Sequence, residues 1–430
     1  MVTVINTAMI SNNRAIPPLR LEVIQVALLR AVSVVLLFVM NLLLAHALSV
    51  QEYGLFSFAF TVASSLALFA SLGFPTALMR LVPPALDTHD YPIVKGVLIR
   101  SYQITFLCAL LLALLLAAAS SFISSQGLLY AAMLLPGLTL LALHNGAFRA
   151  LHQTREGLFW GQLALLLMMM LFLALVAMSH VGTVLMFFVA LASTIALLGL
   201  FRLRYVVSQQ IRSSKAEYKM RVWFYLALPM AAVAGFQFLI DRVDVVLLGF
   251  ISDMQTTGVY HAASRVAALI SFILVAINLI FAPRLSSAFH AGDMQHFGEL
   301  IRLSIRWSSM AALPLLLMIL VWPGYLLGLF GNDFVIGTSI LQVLALAQFV
   351  NALTGATGIA LVMIDRHRLV AIGLLVAVIL QVSLSVLVFP HYGAPGIAVV
   401  TTVISAGLNI SWYITIKQVM HRTIAEQVAT

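Results

Sequence analysis

The chain has 430 residues, of which 63% are hydrophobic and only 9% are charged, and its formal net charge is +9. An ordinary soluble domain carries about 25% charged residues, so this composition excludes a chain of soluble domains and indicates a membrane protein. The single cysteine, Cys108, excludes an intrachain disulfide.

A bilayer is crossed by a helix of about 20 apolar residues, and the sequence contains twelve segments of that kind. Their length distinguishes them from the short alternating strands of a membrane barrel. We therefore predict an all-α polytopic membrane protein with twelve transmembrane helices. The predicted spans are 23–49, 55–79, 98–119, 128–149, 158–178, 182–201, 223–251, 256–282, 304–327, 338–364, 369–389 and 394–416.

Basic residues concentrate on one side of the predicted membrane. If the N-terminus is cytoplasmic, every Lys and Arg falls on the cytoplasmic side except Arg30, Arg242 and Arg265, which lie within spans. The loops on the opposite side contain acidic residues and neither Lys nor Arg. The positive-inside rule therefore predicts cytoplasmic N- and C-termini. Attraction to an anionic leaflet explains the net charge, so no nucleic-acid partner is expected.

An internal repeat relates the two halves of the chain. The segment EYGLFSFAFTVASSL at 52–66 is similar to TTGVYHAASRVAAL at 256–269, with Gly54 aligned to Gly258. A second pair of segments is also similar: RALHQTREGL at 149–158 and IALVMIDRHRL at 359–369. Because six spans return a chain to its starting side, the order of these matches predicts two six-helix lobes of the same orientation, a parallel repeat.

This repeat defines the expected domain organisation. The predicted regions are a cytoplasmic N-terminal segment 1–22, an N-lobe 23–201 with six helices, a cytoplasmic inter-lobe loop 202–222, a C-lobe 223–416 with six helices and a cytoplasmic tail 417–430. The polar break Gln51–Gly54 is interpreted as an external turn between helices. Gly54 is expected to permit a positive φ there, and Tyr53 is expected at the aqueous interface.

Ionisable residues inside spans are costly in lipid and usually face an interior cavity. Asp241 and Asp244 are expected to share one helix face, which Gln237 extends by a turn. Arg265 lies at a similar depth in the next span. Three interpretations stay open for these residues: a structural ion pair between an aspartate and Arg265, a coupling-cation site, and a substrate contact.

Arg30 lies about two turns inside the first predicted span. It either extends to the cytoplasmic headgroups or faces a cavity together with Ser33 and Asn41. In the second case its planar guanidinium suits bidentate binding of a diphosphate. The candidate substrate-binding residues are Arg30, Asn41, Arg242, Arg265 and Asn278.

Sequence motifs for catalysis are absent. The chain has no Walker A loop, no HExxH, no CxxC and no paired metal-ligand spacing. We therefore predict a protein that is not an enzyme and that has no cofactor and no metal. Without a nucleotide site, transport would depend on an ion gradient or on the substrate gradient itself.

Three stretches carry a family resemblance: LSVQEYGLFSFAFTVASSLALFASLGFPTALMRLVPP at 48–84, LPMAAVAGFQFLIDRVDVVLLGFISDMQTTGVYHAASR at 228–265 and APRLS at 282–286. They resemble bacterial polysaccharide exporters, including Wzx-type O-antigen flippases, of the multidrug/oligosaccharidyl-lipid/polysaccharide flippase superfamily. The resemblance implies a V-shaped, two-lobed secondary transporter of the bacterial inner membrane. Its substrate would be a polyprenyl-diphosphate-linked oligosaccharide, such as an O-antigen or exopolysaccharide repeat unit, moved outward by alternating access.

The same resemblance implies a role in lipopolysaccharide or other polysaccharide biosynthesis, Na⁺ or H⁺ coupling, and a polysaccharide polymerase and chain-length regulator as partners. Two alternatives stay open. A cation-coupled multidrug antiporter of the same superfamily would favour an acidic or aromatic cavity, whereas the spans here contain three Arg and two Asp. An outer-leaflet polymerase or ligase would usually carry a large external loop with catalytic Arg and His, and every predicted external loop is short.

Overall fold

The computed structural model describes residues 19–176, 180–219, 223, 232–364 and 366–429, without the side chains of 19–28, 30, 31, 279 and 421–429. All regular structure in these ranges is helical, so the predicted all-α class is confirmed. Nine helices of the described part are long and apolar enough to cross a membrane. The count of twelve spans stays a prediction, because much of the predicted seventh span lies outside these ranges.

The first half of the chain forms an uninterrupted series of helices up to residue 176, followed by two more before residue 219. Their bounds are α1 Leu19–Ala47, α2 Val50–Ala70, α3 Phe74–Asp87, α4 Tyr91–Ile123, α5 Gln126–Ala150, α6 Thr154–Leu175 with a π-helical turn at Phe159–Leu163, α7 Val181–Val206 and α8 Gln209–Ser213.

The second half begins, within the described residues, with a helical stretch at 232–240. The helices after it are α9 Val243–Ile251, α10 Met254–His290, α11 Met294–Val321, α12 Pro323–Gly328, a 3₁₀ turn Asn332–Gly337, α13 Thr338–Thr354, α14 Thr357–Met363 and α15 His367–Ala429. The last helix contains one non-helical residue, Gly393, with φ 58°, where the sequence predicts two spans.

Short polar side chains fix where the helices begin. Ser49 and Glu52 form a reciprocal capping box at the start of α2, which satisfies backbone N–H groups that have no partner in the first turn. At the start of α10, the Asp253 carboxylate accepts from the Thr256 N–H at 2.6 Å. Ser49 precedes Gly54 by as many residues as Asp253 precedes Gly258. The repeat seen in the sequence therefore includes the residues that cap the two helices.

The second predicted span, 55–79, is divided into α2 and α3. The chain turns at Ser71–Gly73, where Gly73 adopts φ 75°, a left-handed conformation that glycine reaches without a Cβ clash. Pro75 then occupies the first turn of α3, where its missing N–H costs no helical hydrogen bond. This division brings Thr76 and Arg80 of α3 to the cavity described below.

The hydrophobic core is shared at one end of the molecule and divided at the other. A cluster around Phe74 and Phe148 consists of first-half residues together with Trp223, at the start of the predicted second lobe, and a cluster around Phe281 and Trp412 belongs to the second half. A third cluster contains buried residues from both halves, from Met40 to Ala398. The halves are therefore packed together at the end where α2 and α10 begin, which we call the closed end.

The closed end depends on two glycines that contact each other across the halves. A Cβ on Gly54 would collide with the Met254 carbonyl oxygen, and a Cβ on Gly258 would lie 3.0 Å from the Gly54 nitrogen. Gly54 lies within the helical turn of α2, and its φ is not positive. The expectation of a positive-φ turn is wrong here: the glycine is needed because two helix backbones approach closely.

Tyr53 is fully buried beside this contact, so its expected place at the aqueous interface is also wrong. Its hydroxyl donates to Asn41 of α1 at 3.1 Å. Its ring meets the His261 ring of α10 edge-on at 5.7 Å and the Phe334 ring at 5.5 Å. Tyr53 therefore joins the two halves, because it bonds to one and packs against the other.

Candidate functional site

A cavity of about 1190 Å³ lies between the two halves of the molecule. Most of its lining comes from the helical stretch 232–240 and from α9, α10, α13, α14 and α15, and the first half contributes Leu37, Thr76 and Arg80. The lining reaches the exposed residues Arg80 and Arg368. We call this the basic end of the cavity, in contrast to the closed end at Gly54 and Gly258.

A break in the seventh predicted span lies in the cavity wall. Asp241 and Arg242 form a turn between the helical stretch 232–240 and α9, and Arg242 has φ −140° and ψ −12°. Non-helical backbone at membrane depth is tolerated where it lines a cavity, because water or substrate can satisfy its polar groups. The break also corrects one expectation: Asp241 lies in the turn and Asp244 in the first turn of α9, so they do not share the face of one continuous helix.

Asp244 is buried and bound by a tyrosine. The Tyr260 hydroxyl of α10 donates to its carboxylate at 2.7 Å, and the Val245 N–H donates to it at 2.8 Å. Both Asp244 and Tyr260 are buried, so this hydrogen bond connects α9 to α10 away from solvent. A carboxylate in such a position needs these donors because burial without them is costly.

Arg265 bonds to a histidine of its own helix. Its Nε donates to His261 Nε2 at 2.9 Å, so Nε2 carries no proton and the neutral ring carries its proton on Nδ1. The His261 Nδ1 is buried and has no hydrogen-bond partner among the described residues. Arg265 lines the cavity one helical turn after His261 along α10.

Of the three interpretations left open for these residues, the ion pair between Arg265 and an aspartate is not formed in this conformation. No ion pair within 4.0 Å joins Arg265 to Asp241 or Asp244, whose side chains are described in full. The physical reason is that Asp244 and Arg265 are each hydrogen-bonded to another side chain. Asp244 accepts from Tyr260, and Arg265 donates to His261. Asp241 instead accepts a long bond of 3.4 Å from Gln237.

The remaining predicted residues differ in their surroundings. Arg242 lines the cavity with its guanidinium 5.3 Å from the centre of the Phe238 ring, a cation–π arrangement. Asn278 also lines the cavity, and its buried Oδ1 has no partner in the described part of the chain. Asn41 is buried at the closed end, away from the lining. The side chain of Arg30 lies outside the described residues.

The structure thus brings six predicted residues to one cavity: Gln237, Asp241, Arg242, Asp244, Arg265 and Asn278. Sequence analysis missed Arg80 and Arg368, which lie in predicted cytoplasmic loops and gave no signal that distinguishes them from other basic residues there. It also missed Tyr260 as the partner of Asp244. The charged residues of the described lining are four arginines and two aspartates, so the cavity carries an excess of fixed positive charge.

Comparison with solved structures identifies the fold. The fold is similar to an inward-facing multidrug resistance MATE family transporter of the MOP superfamily, with a TM-score of 0.72 at 15% identity over 93% of this chain and 99% of that one. It is also similar to the lipid II flippase MurJ in an inward closed conformation, with a TM-score of 0.70 at 12% identity over 92% of this chain and 87% of that one. The chain is a multi-pass membrane protein with this transporter fold.

The sequence places the chain within a family. Residues 22–289 match the family described as Polysaccharide biosynthesis protein, and since that is more than half of the chain, the protein belongs to this family. It is also 26% identical over 160 residues to a probable low-salt glycan biosynthesis flippase of Haloferax volcanii, Agl15, a match that covers 37% of this chain and 34% of that relative. The relatives named here are flippases and transporters, which are not enzymes.

Proposed function

We propose that the protein is a flippase that moves a polyprenyl-diphosphate-linked oligosaccharide across the bacterial inner membrane by alternating access. The observation that carries this proposal is the cavity between the halves, with its four arginines, two aspartates and broken helix. Membership of the polysaccharide biosynthesis family supports a glycan substrate. The substrate would be a repeat unit for O-antigen, exopolysaccharide or a similar polymer.

The charge of the lining favours an anionic ligand. Arginine binds phosphate oxygens through a planar fork of donors, and a diphosphate carries the charge that four arginines would attract. A cationic drug is the expected substrate of the alternative antiporter. The excess positive charge of the lining would repel it. The polar lining residues Asn278, Asn351 and Asn409 offer the donors and acceptors that sugar hydroxyls need.

Arg368 and Arg80 at the basic end would meet the diphosphate first, and Arg242 and Arg265 would hold it deeper in the cavity. Arg30 is proposed as a further diphosphate contact from the first half. Asp241, Asp244 and Gln237 are proposed as the coupling site for Na⁺ or H⁺, since ionisable groups inside a membrane are commonly retained for ion movement. A polymerase and a chain-length regulator would act on the flipped product.

Alternating access would use the two lobes 23–201 and 223–416 as moving bodies. In support, the halves have separate cores at the basic end and a shared core at the closed end, which describes a V open towards the basic residues. With those residues in the cytoplasm, this conformation would face inward. Substrate release would then require the Gly54–Gly258 contact to separate.

The proposal is tested by reconstituting the purified protein with a fluorescent polyprenyl-diphosphate oligosaccharide in proteoliposomes and measuring flipping per inserted protein. Arg242→Gln and Arg265→Gln each remove one charge-assisted contact, worth about 1.5–3 kcal/mol, so substrate capture should fall about tenfold to 150-fold. The matched control is Arg302→Gln, because Arg302 is exposed on α11 and does not line the cavity. It should flip at the wild-type rate.

Two outcomes would overturn the proposal. One is wild-type flipping by both cavity variants. The other is a wild-type protein that moves no lipid-linked oligosaccharide in either direction while it transports a cationic drug against a Na⁺ or H⁺ gradient, which would assign the cavity to the antiporter alternative.

A further inference from the structure

A second concavity lies on the outer surface of the first half, apart from the cavity between the halves. It is a groove of about 680 Å³ between α4 and α7, closed at one end by α8. It shares no lining residue with the central cavity. The apolar part of the lining includes Leu98, Ile99, Leu197, Leu200, Phe201 and Val207.

A buried hydrogen-bond chain holds the two walls of this groove at a fixed spacing. The Tyr102 hydroxyl of α4 donates to His144 Nδ1 of α5 at 2.6 Å, and His144 Nε2 donates to the Ala196 carbonyl of α7 at 2.7 Å. His144 is fully buried, and Gly199 leaves it room, because a Cβ there would lie 2.8 Å from the imidazole ring. The groove is therefore a preformed feature of three packed helices.

The cationic end of the groove is formed by Arg204 in the last turn of α7, Arg212 of α8 and Lys95 of α4. Lys95 of α4 donates to the carbonyls of Arg212 and Ser214 at 2.6 and 2.7 Å, which fixes α8 over the groove. The close approach of Gly96 to the Glu217 carbonyl secures the same segment. The side chains of Arg204 and Arg212 line the groove, are exposed and form no ion pair with any carboxylate in the described part of the chain.

We propose that this groove binds one anionic phospholipid of the leaflet on the basic side of the membrane. The walls suit an acyl chain: Leu200 and Phe201 are 44% and 69% exposed on a helix that is apolar enough to span a bilayer. The end of the groove suits a phosphate, because two unpaired guanidiniums and the Lys95 ammonium converge there. Basic pockets between transmembrane helices at the cytoplasmic surface recognise anionic headgroups by this combination.

The bound lipid acts on the connection between the halves. Its phosphate neutralises Arg204 and Arg212, which lie on the two sides of the α7–α8 junction, and so stabilises the docking of 207–219 on α4. This inference does not depend on the proposed substrate, because it concerns a different set of residues and a structural lipid. Its failure and the failure of the proposed function are therefore separable.

The test is native mass spectrometry of the purified full chain titrated with phosphatidylglycerol or, for comparison, phosphatidylcholine. Each arginine near an anionic headgroup contributes about fivefold in affinity. The double variant Arg204→Gln/Arg212→Gln should therefore bind phosphatidylglycerol about 25-fold more weakly and lose its preference over phosphatidylcholine. The matched control is Arg302→Gln/Arg306→Gln, which removes two exposed arginines from α11 and should leave affinity and preference unchanged.

A second variant tests the apolar wall without any change of charge. Ile99→Trp places an indole in the groove and should reduce binding of both lipids, whatever the headgroup. The proposal is overturned if the arginine pair and the control pair lose phosphatidylglycerol equally, or if Ile99→Trp leaves binding intact. It is also overturned if polyprenyl diphosphate displaces phosphatidylglycerol at equimolar concentration, because the groove would then belong to the substrate tail.

Discussion

Asp244 and Arg265 carry opposite charges on adjacent helices, and each is held by an uncharged side chain. Tyr260 donates to Asp244, and His261 accepts from Arg265, so two neighbouring residues of α10 separate the charges. A direct buried ion pair would neutralise both groups and would resist separation, since removing one partner strands the other. The observed arrangement leaves the Arg265 guanidinium facing the cavity, where it can bind an anion.

This arrangement predicts which pairs of residues are energetically coupled. In a double-mutant cycle, Asp244→Asn with Tyr260→Phe should show a coupling energy of about 1–3 kcal/mol, because the two side chains are in direct contact. Asp244→Asn with Arg265→Gln should show a coupling below about 0.5 kcal/mol. The measurement is the free energy of unfolding of the purified variants in bicelles.

Tyr392→Phe is the control for the loss of a hydroxyl, because Tyr392 is 71% exposed; it should change stability by less than about 0.5 kcal/mol. If the coupling energy between Asp244 and Arg265 were larger than that between Asp244 and Tyr260, it would contradict the observed hydrogen bonds. The result would favour the interpretation of a direct ion pair.

The sequence located the four charged cavity residues that lie within spans, but not Arg80 and Arg368, and not Tyr260 as the partner of Asp244. In-membrane charge is rare, so Asp241, Arg242, Asp244 and Arg265 stand out from an apolar background. Tyrosine is common in membrane proteins, and nothing in the local pattern distinguishes Tyr260 from an interfacial residue. Its role depends on how α9 and α10 are packed, which is a tertiary property.

At the scale of elements, close backbone packing of α2 against α10 holds the closed end together. Gly54 and Gly258 allow this approach, and small residues at helix contacts are a general means of bringing membrane helices together. The helices must separate there if the molecule is to open on that side. The contact between the two glycines has no side chains of its own to disengage, whereas the neighbouring Tyr53 ring would have to leave His261 and Phe334.

A methyl group at this contact should open the closed end. Gly54→Ala places its Cβ against the Met254 carbonyl, and overpacking of this kind costs about 1–3 kcal/mol. The population open at that end should rise about fivefold to 150-fold. The measurement is the distance between spin labels at Gln51 and Gln255, both exposed near the contact, by pulsed electron resonance in a Cys108→Ser background.

Gly407→Ala is the matched control for the added methyl, because a Cβ at Gly407 has no neighbour within 4 Å. It should leave the distance distribution unchanged. An unchanged distribution for Gly54→Ala as well would show that α2 and α10 can shift without opening, and the contact would not be a gate.

Long apolar segments predicted the helices well, while the interruptions were not foreseen. Helix α5 coincides closely with the predicted span 128–149, and α4 and α7 contain the predicted spans 98–119 and 182–201 but extend several residues beyond them. Length and hydrophobicity are what a bilayer requires. The break at Asp241–Arg242 and the division at Gly73 were missed, since a hydropathy window averages over single residues. Gly54 was noticed for its position in the repeat but interpreted as a turn, because a sequence cannot show that another backbone approaches.

At the scale of the whole molecule, the separate and shared cores determine how the protein can move. The core around Phe148 and the core around Phe297 are separate clusters, whereas the shared core at the closed end contains buried residues of both halves. Relative rotation of the halves about the shared core would narrow the cavity at Arg80 and Arg368 while it opens the other end. The direction of the proposed transport would then depend on which end faces the cytoplasm.

The distribution of basic residues predicts that the cavity opens to the cytoplasm, and four exposed positions test this prediction. In intact cells with a Cys108→Ser background, Gln51→Cys in the first turn of α2 and Asn332→Cys in the 3₁₀ turn should react with an impermeant maleimide. Both positions are exposed near the closed end, on the side whose predicted loops contain neither Lys nor Arg. Ser213→Cys and Gln295→Cys should react only after permeabilisation, because they lie beside the basic segments. Two controls are needed. All four cysteine variants should react fully with the maleimide after permeabilisation, and the Cys108→Ser protein without an added cysteine should not react. Labelling of Ser213→Cys in intact cells would reverse the orientation and, with it, the proposed outward direction of flipping.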